Sequence, residues 1–500
     1  MKRNTIATAL MLGGMALSYS ACNENNLNLQ PLTPTEASFF TEEIDYVRSV
    51  YGVYAKMQDW YSFNANNPMH GFWQLPGDDI TSTGTYAFEI FGTLQPANRD
   101  LNNFYRIAYQ LINRANTGLQ KLDAENGVIR TANLKNHLRG EMLFLRGYTY
   151  YLLANYFGTS PLITERIQST AQTTQPNAPE GALLDQAIAD LTEAATLLPA
   201  TWPTTDRGRV TQNSANGMLG KALVCRASIR RAPADFTAAL TAFNKITGVS
   251  LVPNFNDNFD VAKENNAESL FEFQASQPSF DNVWLPNDFD NAIGTMSAWW
   301  GFYENNPNLF GQAPFIPTQK LIDAFEAGDP RIKSTFDPVR RTFLKYWATG
   351  DRKSQSNVAS INNSRILRYA DVLLLKAEAI LESGGSTAEA IGLINQVRTR
   401  ARTMVAGGTV PANYATTTTD RAQIFNWIMM ERFRELAGED HGRWLDLRRW
   451  HLAEKINLGT GFNWSSVRND LSFNVSRNLV YPIPTNEIDL NPNIVQNPGY

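Results

Sequence analysis

In this 500-residue chain, apolar side chains recur at spacings of three and four in two long blocks, and between the blocks the pattern stops. That spacing puts each run on one face of an α-helix, so the chain must bury a succession of helical stripes against one another. In the first block, Ile44, Val47, Tyr51 and Tyr54 follow Thr41, a candidate N-cap with Glu42 and Glu43 in the first turn. Two longer stripes come next: Leu101, Phe104, Ala108, Leu111, Ala115 and Leu119, then Leu134, Leu138, Met142, Leu145, Tyr148 and Leu152, stopped by Gly158 and Pro161. Leu184, Ala187, Leu191, Ala194 and Leu198 lie between Pro179, which suits a first helical position, and Pro199. Thr211 opens a fifth helix carrying Ala215, Met218, Ala222, Cys225 and Ile229.

Periodicity lapses over residues 231–363, a stretch rich in Asn, Pro, Gly and aromatics that reads as loops and short irregular elements. It resumes with Leu367, Ala370, Leu374, Ala377 and Leu381, ended by Gly384 and Gly385. Ser386 and Glu389 form a capping-box pair for a helix with Ala390, Ile394, Val397 and Ala401, and a further helix runs from Asp420 to Leu436. This αα-hairpin of about 40 residues has the size of a tetratricopeptide-type helix pair. The expected fold is mainly α, a tetratricopeptide-like superhelix interrupted by an irregular, aromatic-rich loop region. It forms one domain over 41–500, with scaffold at about 41–230 and 364–450 and a tail at 451–500.

The residue supply excludes several functions. Lys plus Arg is 44 against 48 for Asp plus Glu, with no long basic run, so nucleic acid is not an expected partner. Four histidines, none paired at helical spacing, and two cysteines leave no metal centre, disulfide framework or cofactor to expect. The Asn254, Asn256, Asn258, Asp260 run alternates oxygen ligands but lacks the glycine and distal glutamate of a calcium loop. Nucleophile-elbow, P-loop and zinc-protease motifs are absent. Cys225 lies on a helical stripe and reads as a small core residue.

Residues 1–21 have the layout of a signal peptide: Lys2 and Arg3, an apolar run from Ile6 to Leu17, then Ser18, Ser20 and Ala21 before Cys22. The small residues and Cys22 resemble a bacterial lipoprotein box, which implies lipid on Cys22 and a tether over 22–40.

Further segments resemble one family in order. Leu145-Arg146-Gly147-Tyr148 with Asn155-Tyr156-Phe157-Gly158, Gly208-Arg209-Val210-Thr211, and Arg368-Tyr369-Ala370-Asp371 with Ala377-Glu378-Ala379 are similar to signatures of the SusD/RagB family of outer-membrane nutrient-binding lipoproteins. So are Glu431-Arg432 with Glu435-Leu436, Gly442-Arg443-Trp444-Leu445-Asp446-Leu447-Arg448-Arg449-Trp450, Tyr481-Pro482-Ile483-Pro484 and the closing Gln496-Asn497-Pro498-Gly499-Tyr500. The resemblance implies a lipid-anchored protein on the outer-membrane surface that captures oligosaccharide or polysaccharide. It also implies delivery to a SusC-like TonB-dependent transporter, without catalysis. Peptide or another nutrient is the alternative ligand. A helical glycoside hydrolase using Asp78 or Asp79 with Asp288, and a scaffold for protein partners alone, are competing classes.

Sugar rings stack on aromatic faces and their hydroxyls need carboxylate, amide or guanidinium partners. Two non-helical stretches offer both: one with Trp73, Asp78 and Asp79, the other with Trp284, Trp299, Trp300 and Tyr303. These seven are the candidate ligand-binding residues. Arg432 falls on an apolar stripe with Phe425, Ile428, Met429 and Leu436, so it needs a buried carboxylate, which Asp446, Glu431 or Glu435 could supply. Arg432 and Asp446 are therefore expected to be structural.

Overall fold

The computed structural model describes residues 39–61, 63–64, 67–275, 313–346, 361–440 and 442–500. Among them, ten helices have ten or more residues. They are α1 (Glu43–Lys56), α2 (Arg99–Asp123), α3 (Leu134–Phe157), α4 (Ala182–Leu197), α5 (Gln212–Arg230), α6 (Pro233–Phe243), α7 (Tyr369–Glu382), α8 (Thr387–Thr403), α9 (Arg421–Glu435) and α10 (Arg443–Leu452). From α1 to α8 each helix packs on the next, and α9 packs on α7 and α8. The protein is mostly helical, with short strands.

Local chemistry sets the helix ends. Asn98 accepts from the Asp100 and Leu101 amides at the start of α2, Thr211 from Ser214 at α5, and Asp420 from Ala422 and Gln423 at α9. At α1 the cap is Glu42 rather than Thr41, because the Asp45 carboxylate reaches back to both the Thr41 and Glu42 amides. Helix α4 begins after Gly181, held at φ +80°, and so starts beyond Pro179. Close approach also matters: a Cβ on Gly147 of α3 would stand 3.0 Å from Leu191 Cγ and 3.1 Å from the Ala187 carbonyl of α4.

Two features depart from the sequence expectation. Helix α6 lies inside the stretch read as irregular, with Pro233 at its start and Phe236, Ala239, Ala242 and Phe243 buried. It carries the helical stack from α5 across to α7. Leu367 belongs to a strand, so α7 starts only at Tyr369.

The strands are short and work as clasps: β1 (Phe63–Asn64), β2 (Asn67–Pro68), β3 (Ile80–Ser82), β4 (Ser269–Phe273), β5 (Phe315–Pro317), β6 (Phe336–Asp337), β7 (Thr342–Phe343) and β8 (Ser364–Arg368). They pair antiparallel as β1 with β2, β3 with β5, β4 with β8 and β6 with β7. The β3–β5 and β4–β8 clasps tie the loop after α1 and the strand before α7 to the interrupted middle of the chain.

That loop is driven inward by its aromatics. Trp60 stacks on Phe104 at 5.1 Å, Phe72 on Phe104 at 4.0 Å and Tyr61 on Phe273 at 4.0 Å between ring centroids. The C-terminal tail then returns across the first block. The Tyr481 amide donates to the Tyr156 carbonyl and its hydroxyl to that of Phe72, while the Asn497 amide group donates to Phe157 and Tyr481.

Candidate functional site

Three of the seven sequence-expected ligand contacts sit in the interior, which corrects that expectation. Trp73 is 2% exposed in the turn Gly71–Gln74; its indole N–H donates to Asp440 Oδ1 at 3.0 Å, and its ring meets Tyr61 and His70 edge-on. Asp78 is fully buried between Arg443, which grips both carboxylate oxygens, and Lys320 Nζ at 2.6 Å. Burial pushes its carboxyl upward, but the two cations more than offset this and hold it at about 2. Asp79 accepts from the Gly438 amide at 3.0 Å; burial, only partly offset by that amide, pushes it up to about 6. Turn-forming residues made this stretch look solvated, but its partners, Asp440, Arg443 and Gly438, lie more than 350 positions away along the chain. Trp284, Trp299, Trp300, Tyr303 and Cys22 lie outside the described residues, as does His441.

The described residues that flank the aromatic segment are well fixed. At one end, the Ala275 amide donates to Asn363 Oδ1 at 2.7 Å beside the β4–β8 pair. At the other, the Ala313 and Pro314 carbonyls accept from Thr83 beside the β3–β5 pair. Next to that second end, Thr83, Gly84 and Thr85 are exposed and Tyr86 is half-buried, its ring edge-on to Phe315 at 5.3 Å.

A polar network fastens this loop from below. Glu89, fully buried, accepts from the Ser82 amide and from the Thr81 and Ser82 hydroxyls. Arg468 from the tail donates through Nη1 to Ser82 Oγ at 2.9 Å, the Gly84 carbonyl at 2.6 Å and Glu89 at 3.1 Å. The result is a pre-formed surface of hydroxyls, backbone and one phenol ring, suited to hydrogen-bonding and stacking rather than to bond cleavage.

Asp440 is the interior residue that sequence reasoning missed. Besides the Trp73 indole, it accepts from the Tyr61 hydroxyl at 2.7 Å, from Gln74 at 3.5 Å and from the Ser364 hydroxyl. Burial pushes its carboxyl up to about 6, against the pull of those donors. It joins the loop after α1, strand β8 and the turn after α9 at one point. In sequence it stands in Glu-Asp-His-Gly after a helix, a pattern that ordinarily marks a solvated turn.

The charged residues of the C-terminal motifs form two buried knots. Arg432 donates to Asp446 and Asp371, each at 2.7 Å; Lys221 reaches Asp371, and Arg449 bridges Asp446 to Glu378. Glu431 and Glu435, the other expected partners of Arg432, instead hold Arg331; Glu431 also takes Arg398, and Glu435 takes Arg368 and Arg400. In this second knot Glu435 sits well below the ordinary carboxylate range: burial raises it, but Arg400, Arg368 and Arg331 together prevail. Carboxylates held this way fasten helices and are poor proton donors at neutral pH. Among the described residues no group of three or more His, Cys, Asp or Glu side chains could hold a metal ion, and no helix is long and apolar enough to cross a membrane.

Comparison with known proteins agrees with this architecture. Residues 333–500 match the SusD family, and residues 32–224 match a family described as starch-binding and associating with the outer membrane. A SusD-like protein, P2, of Formosa agariphila is 24% identical over 537 aligned positions covering 100% of both chains. A SusD superfamily crystal structure from Bacteroides vulgatus superposes with a TM-score of 0.73 at 25% identity, covering 92% of this chain and 100% of that one. A laminarin-binding SusD-like protein superposes with a TM-score of 0.72 at 24% identity, again over 92% of this chain and 100% of the other. With its motifs in order, its helical superhelix and relatives matched end to end, the chain belongs to the SusD/RagB family.

Proposed function

We propose that this protein is a surface lipoprotein that captures oligosaccharide or polysaccharide at the outer membrane and hands it to a partner TonB-dependent transporter without breaking a bond. The observation that carries the reading is the fastened, exposed loop Thr83–Tyr86, which stands against Ala313 where residues 276–312 rejoin the described fold. That segment brings Trp284, Trp299, Trp300 and Tyr303 in sequence, the ring-rich supply a sugar platform needs. The family's description as starch-binding and a relative's name as laminarin-binding support a glycan ligand. Against hydrolysis, Asp78 is clamped by two cations and Asp79 is bound to a backbone amide, so neither faces a substrate.

Native gels cast with soluble starch or laminarin test the reading. The mature protein should be retarded in at least one, the Trp299→Ala/Trp300→Ala variant should migrate freely, and no new reducing ends should form. Wild-type protein retarded in neither polysaccharide overturns glycan binding for these ligands; new reducing ends overturn the absence of catalysis. Anchoring through Cys22 predicts that the full-length product partitions into detergent and a Cys22→Ala product into buffer.

A further inference from the structure

A second polar and aromatic groove crosses the helical scaffold, between α1, the turn 201–209 and β4. It consists of adjoining cavities of about 260 and 230 Å³, with Arg207, Gly208, Arg209 and Glu272 lining both. Its floor is stiff. The Arg209 guanidinium lies 3.7 Å from the Trp202 ring centroid and 5.4 Å from that of Tyr51, and it is locked in place by Glu141 and Asp206. Gly208 turns at φ +101°, a conformation that favours glycine, and a Cβ there would stand 2.6 Å from the Gln274 carboxamide and push that side chain aside.

Tyr51 is 43% exposed, its hydroxyl on Asp206 at 3.1 Å holding the ring in one orientation. Arg207 is exposed beside it, anchored through Nη2 to the Asn265 carbonyl at 2.6 Å. An exposed phenol face edged by a guanidinium and a carboxylate suits a pyranose ring, with its apolar C–H face and rim of hydroxyls. The charge argues against a phosphate ligand, because Arg207 and Arg209 are accompanied by Asp206, Glu141 and Glu272.

We propose that this groove is a second carbohydrate-binding site, in which a sugar ring stacks on Tyr51 and its hydroxyls engage Asp206 and Arg207. It rests on the glycan-binding reading and extends it: a second site on the same scaffold would hold a single long polysaccharide at two points.

The test measures retardation of mature protein in starch and laminarin gels for wild type, Tyr51→Ala/Arg207→Ala and Tyr51→Trp, with melting temperatures as a folding control. Losing one of two linked sites should weaken polysaccharide retention by about tenfold, while Tyr51→Trp, which keeps a stacking face, retains it. Affinity for laminaritriose or maltotriose, read by calorimetry, should stay within about twofold of wild type because the first site, which the variant leaves untouched, binds a short ligand by itself. If the double variant melts more than about 5 °C low, Arg207→Ala alone is scored by the same criterion. Polysaccharide retention equal to wild type in the folded variant overturns the second site and leaves the glycan-binding reading standing. Wild-type protein retarded in neither gel removes that reading and this proposal together.

Discussion

Replacing Asp440 with Asn should change how stability depends on pH. The Asp440 carboxyl is buried among the Tyr61, Trp73, Gln74 and Ser364 donors and is pushed from an ordinary 3.8 up to about 6. Because the folded-state value lies above the unfolded one, its contribution to stability is fully present below pH ~4 and is lost as pH rises through about 6. A shift of about two units corresponds to ~3 kcal/mol of stability given up by pH 8. Asparagine cannot ionise and escapes that loss. It also fits the site: its oxygen can keep the Trp73 indole, and its NH₂ can donate to the Tyr61 and Ser364 hydroxyls, which accept as readily as they donate.

The difference in unfolding free energy between Asp440→Asn and wild type should therefore swing in the variant's favour by about 3 kcal/mol between pH 4 and pH 8. An unfolding entropy of about 2.1 cal/mol/K per residue gives roughly 1 kcal/mol/K for a chain of 500 residues, so the swing appears as ~3 °C in melting temperature. Calorimetry at half-unit pH intervals measures it. A difference between the two proteins that stays flat from pH 4 to pH 8 would refute the reasoning, since Asp440 would then bind its proton equally in both states.

Arg432→Ala removes two 2.7 Å charge-assisted bonds, but Asp371 keeps Lys221 and Asp446 keeps Arg449, each at 2.9 Å. The cost should fall near the low end of a broken buried pair, about 3 kcal/mol, seen as a melting point ~3 °C lower; an unchanged melting point would show that the pair contributes nothing. Arg468→Ala should loosen the Thr83–Tyr86 loop and weaken glycan affinity by about tenfold, measured by calorimetry, while lowering the melting point by only ~1–2 °C, because Glu89 keeps its Thr81 and Ser82 donors. Cys225 is buried, its hydrogen bond goes to Asn155 Oδ1, and burial raises its thiol above the ordinary value. In a Cys22→Ala background no thiol should react with Ellman's reagent in the native protein, and one should react in guanidinium.

The helices were legible because each carries its own punctuation: a stripe, a cap such as Thr211 or Asp420, and a stop such as Gly158. Helix α6 escaped because its apolar residues, Phe236 and Phe243 among them, are spread over only 11 positions, too few for a stripe to stand out. Trp73, Asp78 and Asp79 were misplaced for a different reason. Gly77 and Pro76 announce a turn, and a turn is ordinarily on the surface; what buries this one is Arg443 and Asp440, brought there by the fold rather than by proximity in sequence. The need of Arg432 for a carboxylate could be read from its stripe, whereas Asp371 as a second partner could not, since it sits 61 positions away.

The return of the tail has a consequence for how the molecule is made. Phe72 and Tyr156, deep in the first block, give their carbonyls to Tyr481, and Phe157 gives its carbonyl to Asn497, only three residues before Tyr500. As the chain is made, these three carbonyls of the first block wait for their partners until residues 481 and 497 have been added, so the first core reaches its final hydrogen bonding long after its own helices exist.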